Sequence, residues 1–167
     1  MTWCSRYFNQ AGATILGMIT ADSSQVRFFL RYLFWTGLFN LGWEVVQLPL
    51  YTLWEDGSPS FVAFAVLHCT AGDVLIASIS LLLARIVSGN RQWPQQRYMQ
   101  VALTTIGIGV VYTVYSEWSN TVVTRTWAYS LSMPTLWGIG LSPILQWLLI
   151  PAWTFWRLSK QRVGYRA

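Results

Sequence analysis

Apolar positions along this chain gather into four blocks, each close to the roughly 20 residues that crossing a hydrocarbon core requires. They run from about Phe28 to Leu53, Phe61 to Ala84, Tyr98 to Trp118 and Leu136 to Trp156. The first two are separated by Trp54-Glu55-Asp56-Gly57-Ser58-Pro59, an acidic turn rich in helix breakers. A short basic loop with Arg85, Gly89-Asn90-Arg91 and Pro94 follows the second, and a polar connection over 119–135 follows the third. The pattern predicts an all-α integral membrane protein, four transmembrane helices in a compact bundle. Residues 1–24 hold one apolar run, Ala13 to Ile19, which is too short to span. Three regions result: an interfacial or flexible segment over 1–24, a transmembrane domain over 25–157, and a basic tail over 158–167.

Charge sets the threading. Of eleven Lys and Arg residues, Arg6, Arg27, Arg31, Arg85, Arg91, Arg97 and the tail bases Arg157, Lys160, Arg162 and Arg166 fall on one side of these spans. Arg125 alone falls on the other. Bases near span ends mark the cytoplasmic face, so both termini are expected in the cytoplasm, most simply across a bacterial inner membrane. A leader cut after Ala21 would put the new N-terminus outside, just ahead of Arg27 and Arg31, so an uncleaved segment fits better. Trp54, Trp118, Trp127 and Trp137 then mark the outer boundary, and Trp93, Trp153 and Trp156 the inner one.

Composition agrees: 54% of residues are hydrophobic and 10% charged, too few charges for an ordinary soluble domain. The net charge of +5 does not indicate nucleic-acid binding, because the bases flank apolar spans instead of clustering on a solvated element. Cys4 and Cys69 lie too far apart in this topology to pair. Pro49, Pro143 and Pro151 each remove an amide donor and disturb a carbonyl four residues earlier, at Val45, Ile139 and Trp147. The plain consequence is a kink; the sharper one is a freed carbonyl facing a polar cavity.

Against this apolar background a few polar residues stand out. Asn40, Glu44 and Gln47 are spaced i, i+4, i+7 and form one stripe on the first helix. Thr113, Glu117 and Asn120 repeat that spacing at the outer end of the third. On the second, Cys69 and Asp73 share a face, whereas His68 lies about 140° from Asp73 at 100° per residue. Ser142 and Gln146 are the polar contributions of the fourth. By helix rise Glu44 and His68 sit at the same depth, Asp73 is near the centre and Glu117 near the outer surface. The groups therefore grade from mid-membrane outward, as in a site open to the non-cytoplasmic side.

A charge within a span costs roughly 2.5–3.5 kcal/mol on insertion scales and usually marks a working site. Glu44, His68, Asp73 and Glu117 are thus the candidate catalytic groups, with Asn40, Gln47, Asn120 and Gln146 as substrate-binding candidates. Three carboxylates and one imidazole also suit a divalent metal such as Mn, Fe or Zn, with Glu44 and His68 its first ligands. The structural alternative is that these groups bond one another across helices and lock the bundle. No G-x-S-x-G, H-E-x-x-H, P-loop or dinucleotide motif is present.

Three functions are compatible with this pattern. The first is a small membrane-embedded enzyme acting on a lipid or isoprenoid-like substrate by acid–base or metal chemistry. The second is an accessory subunit of a larger membrane complex, packing partner helices or binding a pigment, quinone or lipid. The third is a proton-linked transporter with Glu44 and Asp73 as titrating relays, which four spans without a repeat would build only as a homo-oligomer. Membrane lipids are expected partners throughout. Convergence of ionisable groups at one depth favours the enzyme.

Overall fold

The computed structural model describes residues 23–89 and 92–163. The expectations for residues 1–22 and for the last four residues lie outside the described part. The described residues form α1 (Ser23–Gln47), a 3-10 turn (Leu48–Leu50), α2 (Leu53–Asp56), α3 (Pro59–Ser88) and α4 (Tyr98–Trp118). A π-helical turn (Ser119–Val123), a two-stranded ribbon of β1 (Thr135–Leu136) and β2 (Ile139–Gly140), and α5 (Leu141–Val163) follow. The fold is predominantly α-helical. The Pro59–Ser88 helix and the helical stretch Tyr98–Val123 are each long and apolar enough to cross a membrane.

Local chemistry explains where the helices depart from the apolar blocks. Pro49 cannot supply a backbone donor, so α1 closes at Gln47 and the chain tightens into the 3-10 turn instead of continuing to Leu53. Ser58 caps α3, its Oγ accepting from the Phe61 amide at 3.4 Å, and Pro59 occupies the first helical position. At its other end α3 runs beyond Ala84 to Ser88 and stops on Gly89, whose φ of 61° is the left-handed cap that glycine adopts freely. The apolar run at 136–140 does not join α5. Trp137 and Gly138 have φ of 53° and 80° and turn the chain into the β1–β2 ribbon, in which Leu136 pairs with Ile139. Pro143 therefore sits in the first turn of α5, where its missing amide costs nothing, and the kink expected there does not arise. Pro151 does lie inside the helix.

The four long helices pack in a ring, α1 against α3 and α5, and α4 against the same two. One end of the ring is closed by an aromatic cluster: the Phe28 ring stands 4.7 Å from Trp93, 5.9 Å from Tyr98 and 6.2 Å from Phe155. Within this plug Tyr98 Oη donates to the Phe155 carbonyl at 2.6 Å, whereas the buried Trp93 indole N–H has no hydrogen-bond partner. Polarity elsewhere is inverted relative to a water-soluble bundle. Gln25, Thr36, Asn40, Gln47, Gln146 and Thr154 are buried, while Val46, Ile86 and Val111 are 70–79% exposed.

Candidate functional site

The α1 stripe meets α3 and α5 in one hydrogen-bonded cluster. Gln146, on the inner face of α5, places Nε2 2.8 Å from Asn40 Oδ1, 3.0 Å from Asp73 Oδ2 and 3.1 Å from Glu44 Oε1, so its two hydrogens are shared among three acceptors. The Glu44 and Asp73 carboxyls are thus gathered on one amide and lie within electrostatic reach of each other, with the Trp147 side chain beside Asp73. Gln47 Nε2 donates to Glu44 Oε1 at 2.8 Å. Ser142 Oγ and the Trp43 indole donate to Gln47 Oε1 at 2.8 and 3.2 Å, which fixes the amide orientation. Asn40 in turn donates to the Thr36 carbonyl one turn earlier at 2.8 Å.

The chemistry of this cluster follows from its donor count. Ionised carboxylates only accept and repel one another, so two acids gathered on one amide in an apolar bundle favour holding a single proton between them. Two acids that share a proton form a unit in which one group gives a proton while the other takes one. Gln146 donates to both acids and so holds them together. Glu44 and Asp73 are half-buried, whereas Gln47 and Gln146 are buried, so the acids form the accessible side of the cluster.

Glu117 stands in a second cluster at the C-terminal end of α4. It is buried and accepts from Tyr129 Oη at 2.5 Å, and Tyr129 Oη accepts from the Gly140 amide at 2.9 Å. Burial first, and then the Glu117 carboxyl beside it, push the Tyr129 hydroxyl above its ordinary range, so it remains a donor at neutral pH. Tyr129 is held from behind: its ring packs 5.6 Å from Tyr51, and the two backbones form an antiparallel bridge. A Cβ on Gly140 would meet the Tyr129 ring at 3.0 Å, so glycine is what lets β2 approach it. Tyr51 lies within electrostatic reach of Glu117, Tyr129, Glu44 and Cys69.

The structure separates His68 from the acids. It is exposed on α3 and stacks on Phe64 one turn earlier, with ring centroids 5.5 Å apart. Helical geometry is the reason: α3 is unbroken through Gly72, so the 140° divergence from Asp73 persists. The expected Glu44–His68 ligand pair is therefore not formed. Among the described residues no group of three or more His, Cys, Asp and Glu side chains converges as a metal site would need. Asn120 is also apart: its amide donates locally to the Ser116 carbonyl at 2.8 Å and the Ser116 hydroxyl at 3.3 Å. The remaining candidates, Asn40, Glu44, Gln47, Asp73 and Gln146, are brought together, with Ser142 beside them.

Four contributors escaped the sequence reading. Tyr51 continues the α1 stripe at i+7 from Glu44, a signal that was available. Trp43 and Trp147 resemble any other tryptophan of an apolar span until their indoles are seen against polar partners. Tyr129 arrives from an irregular connection, where periodicity carries no information. Comparison with family models, curated proteins and solved structures returned no match to this chain.

Proposed function

We propose that the chain is an integral membrane protein with α1, α3, α4 and α5 as its spans and both termini cytoplasmic. In that setting the Glu44–Asp73 pair serves as the general acid and base of a small enzyme acting on a lipid or isoprenoid-like amphiphile. The inverted polarity of the bundle and the one-sided distribution of Lys and Arg support the membrane setting. The observation that carries the function is the pair of carboxyls gathered on the buried Gln146 amide. A span gains nothing from two acids unless their proton is used, and one positioned acid–base group is worth roughly 10²–10⁴ in rate. Gln146 and Gln47 hold the pair, while Tyr51, Tyr129 and Glu117 supply the polar surface on its outer side. The substrate head enters from that side and its tail remains in lipid.

The topology is tested by labelling. Asp56 is exposed at the end of α2, just before the turn into α3. With Cys4 and Cys69 replaced by serine, Asp56→Cys should react with a membrane-impermeant maleimide from the outer side only. Reaction from the cytoplasmic side alone would reverse the orientation. The chemistry is tested with Glu44→Gln and Asp73→Asn, which keep shape and hydrogen-bonding capacity but not the exchangeable proton. Mass spectrometry of lipids from membranes holding each form should find one amphiphile altered by the wild-type chain. That change should fall by about 100-fold or more in both variants, with amount and thermal stability retained. Full conversion by both variants rejects the acid–base role.

A specific surface supports the accessory-subunit reading as the runner-up. Thr104, Gly107, Ile108, Val111, Tyr112 and Tyr115 line an open apolar groove along α4, and a Cβ on Gly107 would touch nothing within 4 Å. Such a shallow track suits a partner helix or a flat isoprenoid. A wild-type chain that alters no amphiphile, yet co-purifies in fixed ratio with another membrane protein, would favour it.

A further inference from the structure

Below the carboxyl pair, toward the aromatic plug, three buried hydroxyls are left without a hydrogen-bond partner: Tyr32 Oη, Thr36 Oγ1 and Thr154 Oγ1. Tyr32 and Thr154 have no exposed surface and Thr36 has 1%. The Asn40–Gln146 bond at 2.8 Å and the Tyr32–Phe155 ring contact at 5.1 Å set an antiparallel register between α1 and α5. In that register Thr154 stands at the level of Tyr32, about two turns inward from Asn40, with Thr36 one turn from Asn40. Tyr32 and Thr36 face each other one turn apart on α1 without closing a bond of normal geometry. Thr105 on α4 is equally buried but is satisfied, donating to the Val101 carbonyl at 2.7 Å. Burial of a threonine in this core therefore does not by itself leave its hydroxyl idle.

We infer that Tyr32, Thr36 and Thr154 bind internal water, forming a hydration site beneath the Glu44–Asp73 pair. Unpaired buried hydroxyls are unfavourable, and their usual remedy is a water making about three bonds to surrounding polar groups. Tyr32, Thr36 and Thr154 can each donate one bond and accept others, so they suit a water and offer no charge for an ion. The backbone of Thr36 connects the site to the acids through Asn40 and Gln146. The Phe28, Trp93, Tyr98 and Phe155 rings close it on the opposite side. This inference rests on the proposed function only in its use, as the place where water is stored within reach of the acid pair. The site itself is independent of any reaction.

Isosteric substitution tests it by sign. Thr36→Val and Thr154→Val remove one hydroxyl each and preserve side-chain shape. If water bridges the three groups, each change strands the other two, and the melting temperature of the full chain in nanodiscs should fall by about 2–4 °C. Water-edited solid-state NMR should show transfer to the Thr36 and Thr154 side chains in the wild type, lost at Thr36 in Thr154→Val. If the site is dry, each substitution merely deletes an unsatisfied group, and stability should hold or rise. Unchanged or raised stability, or the absence of water transfer in the wild type, overturns the site. Loss of activity in Glu44→Gln has no bearing on either readout, so the two proposals fail separately.

Discussion

Gln146→Leu should cost about 2–4 kcal/mol of stability, the larger part of it from acceptors stranded by the change. The wild-type amide gives hydrogen bonds to Asn40, Glu44 and Asp73 from a position that is 2% exposed. Leucine fills nearly the same space and donates nothing. Glu44 retains its bond from Gln47, so Asp73 and Asn40 bear most of the loss. Background dependence separates this account from simple repacking. In a chain already carrying Glu44→Leu and Asp73→Leu two of the three acceptors are gone and only Asn40 is left to strand, so the same Gln146→Leu step should cost clearly less. Thermal unfolding of the four forms in one detergent measures the difference. An equal cost in both backgrounds would mean that Gln146 is a packing residue and that the acids are held by something else.

That network also marks how far the sequence could be read. Asn40, Glu44 and Gln47 could be placed on one stripe because α-helical spacing is rigid, and the structure keeps them together. Gln146 and Ser142 could be joined to them only by depth, through the length of a helix and its boundary, and this succeeded for both. Depth failed for His68. It shares a level with Glu44, but the rotation about α3 points it at Phe64, and rotation outweighs depth in deciding what a side chain touches. Glu117 could be placed at the outer end, but its partner could not. Tyr129 reaches it from the 119–135 connection after a π turn that no hydrophobic period foreshadows. The α5 boundary was obscured for a related reason. Leu136, Trp137 and Ile139 are as apolar as a helix start, and only the left-handed turn at Trp137–Gly138 shows that they belong to the ribbon.

Gly109→Ala should destabilise the bundle by about 1–3 kcal/mol, although alanine is the better helix former by roughly 1 kcal/mol. An added Cβ would stand 2.2 Å from Trp147 Cε3 and 2.5 Å from Cζ3, distances that no packed core contains. The indole cannot swing clear cheaply, because Trp147 is 3% exposed and its side chain lies beside Asp73. Relief must come from moving α4 away from α5 or from turning the ring off the acid. The second route reaches the carboxyl pair, so Gly109→Ala should also weaken whatever activity Asp73 supports. Gly107, two residues away on the same helix, provides the contrast. A Cβ there meets nothing within 4 Å, so Gly107→Ala should be neutral or stabilising by helix propensity alone. Trimming the obstacle should rescue the first variant: Trp147→Leu combined with Gly109→Ala should be less destabilised than the sum of the two single changes. Equal unfolding temperatures for Gly109→Ala and Gly107→Ala would refute the close approach of α4 to Trp147, and with it the account of how α5 is held against the acid pair.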